Sequence, residues 1–218
     1  MSADGPDDQF WEAELERFLP DVRKALEEAF EYVCCPICEV IADVPFDYFA
    51  VLPKRWAEEP ELREIVCQAG GFCRHHTWRL DKVQGSLPIA TIYADVLSSR
   101  MQEERPQDPC PVCHLQGLME RVLLAAFVEQ MADPGAREGY RGLFGVCYPH
   151  YQLLLAQDLD EAARQALTNA QMIQTVELIR LLRGYIEKND VPAKWSRTDA
   201  EVRAPRRALL KAAGNEDQ

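Results

Sequence analysis

Residues 60–80 read PELREIVCQAGGFCRHHTWRL, and residues 134–154 read PGAREGYRGLFGVCYPHYQLL. The two segments align without a gap. Pro60, Arg63, Glu64, Gly71, Cys73, His76 and Leu80 meet Pro134, Arg137, Glu138, Gly145, Cys147, His150 and Leu154. Upstream of each segment lies a second matched motif, CPIC at Cys35–Cys38 and CPVC at Cys110–Cys113. Self-similarity at a fixed spacing points to a duplicated unit, and one insertion or deletion between the motifs reconciles the two registers. The alignment also sorts the sulfur and imidazole groups. Cysteine or histidine stands in both halves at Cys35/Cys110, Cys38/Cys113, Cys73/Cys147 and His76/His150. Cys34 meets Pro109, Cys67 meets Arg141, His75 meets Pro149 and His114 meets Glu39, so these four residues read as local packing or surface groups.

The spacing suits a metal ion. A Cys-x-x-Cys turn aims two sulfurs at one point, and the proline after the first cysteine fits the first position of a helix. A helix N-terminus favours thiolate, the form that ligates. Cys-x-x-His after Gly71 or Gly145 reads as a further helix start. Two half-sites complete a Cys₃His tetrahedron, a standard structural zinc shell with no position left for water or substrate. The expectation is therefore two zinc ions, held by Cys35, Cys38, Cys73, His76, Cys110, Cys113, Cys147 and His150. Near-equal gaps between half-sites favour pairing within each half, so that Cys35 and Cys38 share an ion with Cys73 and His76. The alternative is exchange, with CPIC facing CYPH.

Other chemistries compete for the same residues. CPVCH, residues 110–114, matches the haem-attachment string, but the other half reads CPICE. A redox CPxC pair belongs in a strand–helix setting that this chain lacks, and it has no need of a Cys-x-x-His partner. Three cysteines and a histidine also suit an iron–sulfur cluster, the lesser alternative for the cofactor. No phosphate-cradling glycine loop, HExxH or GxSxG occurs, which turns the reading away from an enzyme without closing the question.

Composition narrows the partners. Hydrophobic residues make up 47% of 218 residues, enough for a globular core, while the net charge of −12 works against broad contact with nucleic acid or anionic lipid. No uninterrupted apolar run reads as a membrane span, and the N-terminal MSADGPDDQF lacks a secretory pattern. A cytoplasmic location is expected, where eight cysteines point to metal or redox chemistry rather than disulfides. Apolar residues recur at helical spacing over Phe10–Phe30, with Pro20 as a kink or a new start, and over Ile89–Met101 and Asp160–Glu187. The Glu and Arg between the apolar positions of the first stretch read as a solvated face. Pro53–Pro60 and Asp133–Gly135 read as helix breaks. After Asn189 the chain turns basic, with Lys194, Arg197, Arg203, Arg206, Arg207 and Lys211 against Asp199 and Glu201, and reads as a mobile tail.

With these motifs in hand, the chain resembles an uncharacterised prokaryotic family, a domain of unknown function. Its pattern is CPxC followed by G-[FV]-C-x-x-H with a basic or aromatic continuation, here GFCRHHTWRL and GVCYPHYQLL. The resemblance spans roughly 32–154 and implies no activity. The architecture expected is all-α: a helical segment 1–33, two pseudo-equivalent metal-pinned units at 34–105 and 106–188, a long helix closing the second, and a flexible tail 189–218. Residues 34–188 read as one globular domain. Function reads as a non-enzymatic scaffold or interaction protein with an unknown protein partner, alternatively as a redox or metal-handling protein using the thiols as a switch. A helix as long as 160–187 also offers a homodimer contact.

Overall fold

The computed structural model describes residues 8–19, 21–29, 34–102, 109–140, 144–189 and 194–214. Phe30 and Pro20 therefore lie outside the described residues, as do the last residues of the tail. Among the described residues every regular element is helical, as the periodicity demanded. The chain forms two compact units, Met1–Pro20 with Asp43–Glu120 and Asp21–Ala42 with Arg121–Gln218. These boundaries cross those expected at 34–105 and 106–188. We call the two bodies unit 1 and unit 2.

Unit 1 contains α1 (Asp8–Phe18), α4 (Val44–Glu58), α5 (Pro60–Gln68), α6 (Arg74–Val83), α7 (Ser86–Gln102) and the first part of α8 (Pro111–Ala132). In α4 the buried Val44, Tyr48, Phe49, Leu52 and Trp56 follow the three-and-four spacing of one helical face. They pack with Leu62, Val66, Phe72, Leu80, Ile92, Val96, Leu115 and Met119. Pro53 was expected to break this helix, yet it lies inside α4. A proline deprives the carbonyl four residues earlier of its helical donor. Here Gln84 donates its side-chain amide to that carbonyl, Phe49 O, at 2.6 Å. The substitute bond explains why the helix continues to Glu58.

The acidic face expected on the first helix is not wholly solvated. Glu14 is 1% exposed and accepts two hydrogen bonds from the buried Arg55, at 2.6 and 2.8 Å. Arg55 also donates to Glu59 at 2.6 and 2.9 Å. Burying these charges is tolerable because each finds its partner.

Unit 2 contains α2 (Val22–Ala29), α3 (Pro36–Ala42), the remainder of α8, α9 (Pro134–Tyr140), α10 (Tyr148–Leu155), α11 (Glu161–Glu187) and α12 (Asp199–Ala213). Its core joins Leu26, Ile37 and Ile41 to Leu123, Phe127, Met131, Tyr140, Val146, Leu154, Leu167 and Ala170. The Asp160 side chain caps α11 by accepting from Ala163 N at 2.6 Å. On α11 the inward face carries Ala163, Leu167, Ala170 and Leu178, whereas Ile173, Ile179 and Ile186 from the same apolar pattern are exposed.

The tail reading needs correction. Residues 199–213 form α12, started by a capping box between Thr198 and Glu201. Ala204 packs against Leu178 and Leu181, and Lys188 binds Glu201 at 2.9 Å. The proline and charge content that suggested mobility hides a helix whose small residue Ala204 lets it lie close to α11.

Among the described residues α8 is the one helix long and apolar enough to cross a membrane, with a mean hydropathy of 1.2. That amends the reading that no such segment exists. Its Val112, Leu115, Met119, Leu123, Leu124, Phe127 and Met131 are nonetheless buried in protein cores.

Candidate metal centres

All four motifs sit at helix starts, as their sequence predicted. Pro36 opens α3 and Pro111 opens α8, so Cys35 and Cys110 precede the helix while Cys38 and Cys113 lie in its first turn. Cys73 and Cys147 are the N-caps of α6 and α10, which places His76 and His150 one turn inside. Each leading cysteine already accepts the first helical hydrogen bond through its carbonyl, at 2.8–3.0 Å. Gly71 and Gly145, two residues before the capping cysteines, have φ of +93° and +78°. This left-handed turn favours glycine. At Gly145 a Cβ would in addition collide with the Gln174 side chain.

The structure brings the eight predicted residues into two groups, Cys35/Cys38/Cys147/His150 and Cys73/His76/Cys110/Cys113. Within each group the candidate ligand atoms all lie within 4.8 Å of one another. In unit 2, His150 Nδ1 lies 3.4, 3.3 and 3.1 Å from the sulfurs of Cys35, Cys38 and Cys147. In unit 1, His76 Nδ1 lies 3.3, 3.5 and 3.3 Å from those of Cys73, Cys110 and Cys113. Sulfur–sulfur separations of 3.7 Å link Cys38 to Cys147 and Cys73 to Cys113.

Pairing within each half is thereby overturned: CPIC joins CYPH, and CPVC joins CRHH. The cause lies in the helices that carry the cysteines. The apolar face of α3, Ile37 and Ile41, is buried in the core of unit 2. The matching start of α8, with Val112 and Leu115, is buried in the core of unit 1. Each Cys-x-x-Cys pair follows its hydrophobic helix into the unit formed mainly by the other half of the sequence. Near-equal gaps could not reveal this, because they follow from the duplication itself whichever half-sites meet.

The groups differ in their surroundings. In unit 2 all four residues are buried, with Cys147 at 0% exposure. In unit 1 His76 is buried, Cys73 and Cys110 are half-buried and Cys113 is exposed. Without an ion, charge concentrates on one thiol per group. Burial resists ionisation of Cys35, but hydrogen bonds from Cys147, Cys38 and His150 outweigh it and hold its thiol well below the ordinary range. The hydrogen bond from Cys113, opposed by burial and aided by His76, draws Cys110 down to about 3. The partner thiols go the other way: Cys38 is pushed up by its bonds to Cys147 and Cys35 and by burial, and Cys113 by its bond to Cys110 and by burial. A bound cation reverses that resistance, because thiolate is the ligating form.

Sequence reasoning missed Lys211, placed in the supposed tail. It is buried in unit 2 and donates to Phe144 O, Gln171 Oε1 and Gln174 Oε1 at 3.1, 2.8 and 3.1 Å. Burial lowers it to about 8, while the nearby thiols of Cys35 and Cys147 oppose the shift. Its positive charge would offset part of the negative charge of thiolates at Cys35 and Cys147. The available signal was the spacing of Glu201, Ala204 and Lys211 on one helical face.

The four residues outside the matched pattern also lie outside both groups. Cys34 donates to Glu39 at 3.0 Å, and burial raises its thiol to about 12. Cys67 is half-buried, and burial raises it too. His114 contacts Trp11 with ring centroids 4.3 Å apart and ring planes inclined at 44°, and His75 is exposed. No family model, curated protein or solved structure matches the chain.

Proposed function

We propose that each Cys₃His group holds one zinc ion and that the protein is a metal-stapled helical scaffold rather than an enzyme. The observation that carries this reading is the edge length of each group. A tetrahedral ion with Zn–S of ~2.3 Å and Zn–N of ~2.0–2.1 Å needs sulfur–sulfur edges of about 3.8 Å and sulfur–nitrogen edges of about 3.5 Å. One sulfur–sulfur edge in each group is 3.7 Å, the sulfur–nitrogen edges are 3.1–3.5 Å and all remaining edges lie within 4.8 Å, dimensions that suit one ion. A cluster of several irons has to sit between its ligands and spreads them further apart. Four protein ligands also complete the shell, which leaves no open position for a reacting water. A duplicated ancestor whose Cys-x-x-Cys helices exchanged partners accounts for two alike sites.

The scaffold's interaction face is the outer side of α11, and its partner is a second copy of the chain. Met172, Val176, Ile179 and Ile186 are exposed, and with Arg183 they keep the four-and-three spacing of a coiled-coil seam. Elemental analysis of protein purified without chelator tests the metal reading. Two zinc equivalents and a colourless solution support it. One equivalent or none in folded protein, or the visible bands of iron, refutes it.

A further inference from the structure

We propose that Cys113 is a hydroperoxide-sensitive site and that the unit 1 group is the releasable one of the pair, while the unit 2 group stays closed. The inference rests on the metal reading above and adds a division of labour between the sites. Three observations carry it. The first is access: Cys113 is exposed and two of its co-ligands are half-buried, whereas Cys35, Cys38, Cys147 and His150 are each no more than 1% exposed. The second is the outer shell. His76 is 2% exposed, and its Nε2, the ring nitrogen turned away from the sulfurs, finds no hydrogen-bond partner among the described residues. Such a partner normally fixes the ring and strengthens the ligand, and its loss costs about 10–100-fold in metal affinity. The third is charge: the buried Lys211 ammonium reinforces the unit 2 thiolates from inside the protein.

The chemistry balances with a hydroperoxide as the named oxidant. The Cys113 sulfur attacks one peroxide oxygen. An S–O bond forms, the O–O bond breaks, and the leaving oxygen takes a proton and departs as water or an alcohol. The sulfenic acid is then attacked by a neighbouring thiolate, either Cys73, whose sulfur is 3.7 Å away, or Cys110 of the same turn. An S–S bond forms, and the hydroxide released is protonated to water. Two sulfurs give up two electrons, which reduce the peroxide. The group then lacks two of its four donors and releases its ion. A thiol reductant restores both thiolates.

The test uses the zinc-loaded full-length protein. Zinc is counted before oxidant is added, which examines the metal reading separately. Hydrogen peroxide is then added, released zinc is followed with a chromogenic chelator, and thiols are mapped by differential alkylation and mass spectrometry. The expected result is one equivalent released at least about tenfold faster than the other. Cys113 should be disulfide-linked to Cys73 or Cys110, and reductant plus zinc should reverse the change. Equal release rates, or oxidation at Cys35, Cys38 or Cys147 first, would overturn the proposal. Cys113→Ser should carry one zinc equivalent before oxidant is added and release it only at the slow rate; fast release from this variant would overturn the proposal. Mapping of the unmodified chain decides the matter even if that variant does not fold.

Discussion

At the residue scale, which sulfurs share an ion has a direct chemical consequence. Cys147→Ser should remove one metal equivalent and raise the labelling of Cys35 and Cys38 by a thiol reagent while leaving that of Cys110 and Cys113 unchanged. Pairing within each half predicts the reverse labelling, so mass spectrometry of alkylated peptides separates the two. Cys34 and Cys67 lie outside both groups, and changing both to serine should leave the metal content intact. Protonation sets a second expectation. Cys38 and Cys113 resist ionisation when no ion is bound, so binding has to expel their protons. Metal affinity should therefore rise with pH, by about tenfold per unit for each proton released, measured by competition with a chelator. Arg55 shows what a buried charge costs when stranded. Arg55→Met leaves the buried Glu14 with only Arg17, at 3.6 Å, as an ionic partner, and breaking such a pair costs up to about 3–5 kcal/mol, readable as a lower urea midpoint. The hydrogen bond from Arg55 holds the Glu59 carboxyl below its ordinary range. This contribution is full above the unfolded carboxylate pKa and is lost as pH falls through the lower folded value. The acid-induced fall in stability should be shallower in the variant.

At the element scale, the helices are fixed by caps and faces that the sequence displays. The prolines of CPIC and CPVC and the helical spacing over Ile89–Met101 and Asp160–Glu187 were legible. Two elements were not. Pro53 reads as a breaker until Gln84, distant in sequence, supplies the missing donor. The basic run after Asn189 reads as a tail until α11 offers Ala204 and Lys211 a place to pack. The exposed seam of α11 gives this scale its prediction. If it pairs with a second copy, Ile179→Glu should shift the mass measured by light scattering from dimer to monomer and leave helicity unchanged. An unmodified chain that is monomeric at high concentration would remove the dimer from the proposal.

At the scale of the whole molecule, each unit has its own core and its own Cys₃His group. Structural zinc contributes about 10–16 kcal/mol in small peptides, comparable with the ~5–15 kcal/mol net stability of a domain. Chelation should therefore lower the melting temperature. In Cys147→Ser, hydrogen exchange should accelerate mainly within 21–42 and 121–214. Uniform acceleration over both units would contradict separate stapling. The sequence by itself determined the eight Cys and His residues that form the two groups, their places at helix starts and the all-helical class, because motif spacing, capping and amphipathic period are all local. Only the tertiary structure decided which half-sites meet, where Lys211 goes and how unequal the two sites are in exposure. Those outcomes depend on which core buries Ile37 and Ile41 and which buries Val112 and Leu115. Two equivalent motifs satisfy the same metal in either pairing, so packing of the attached apolar faces breaks the tie.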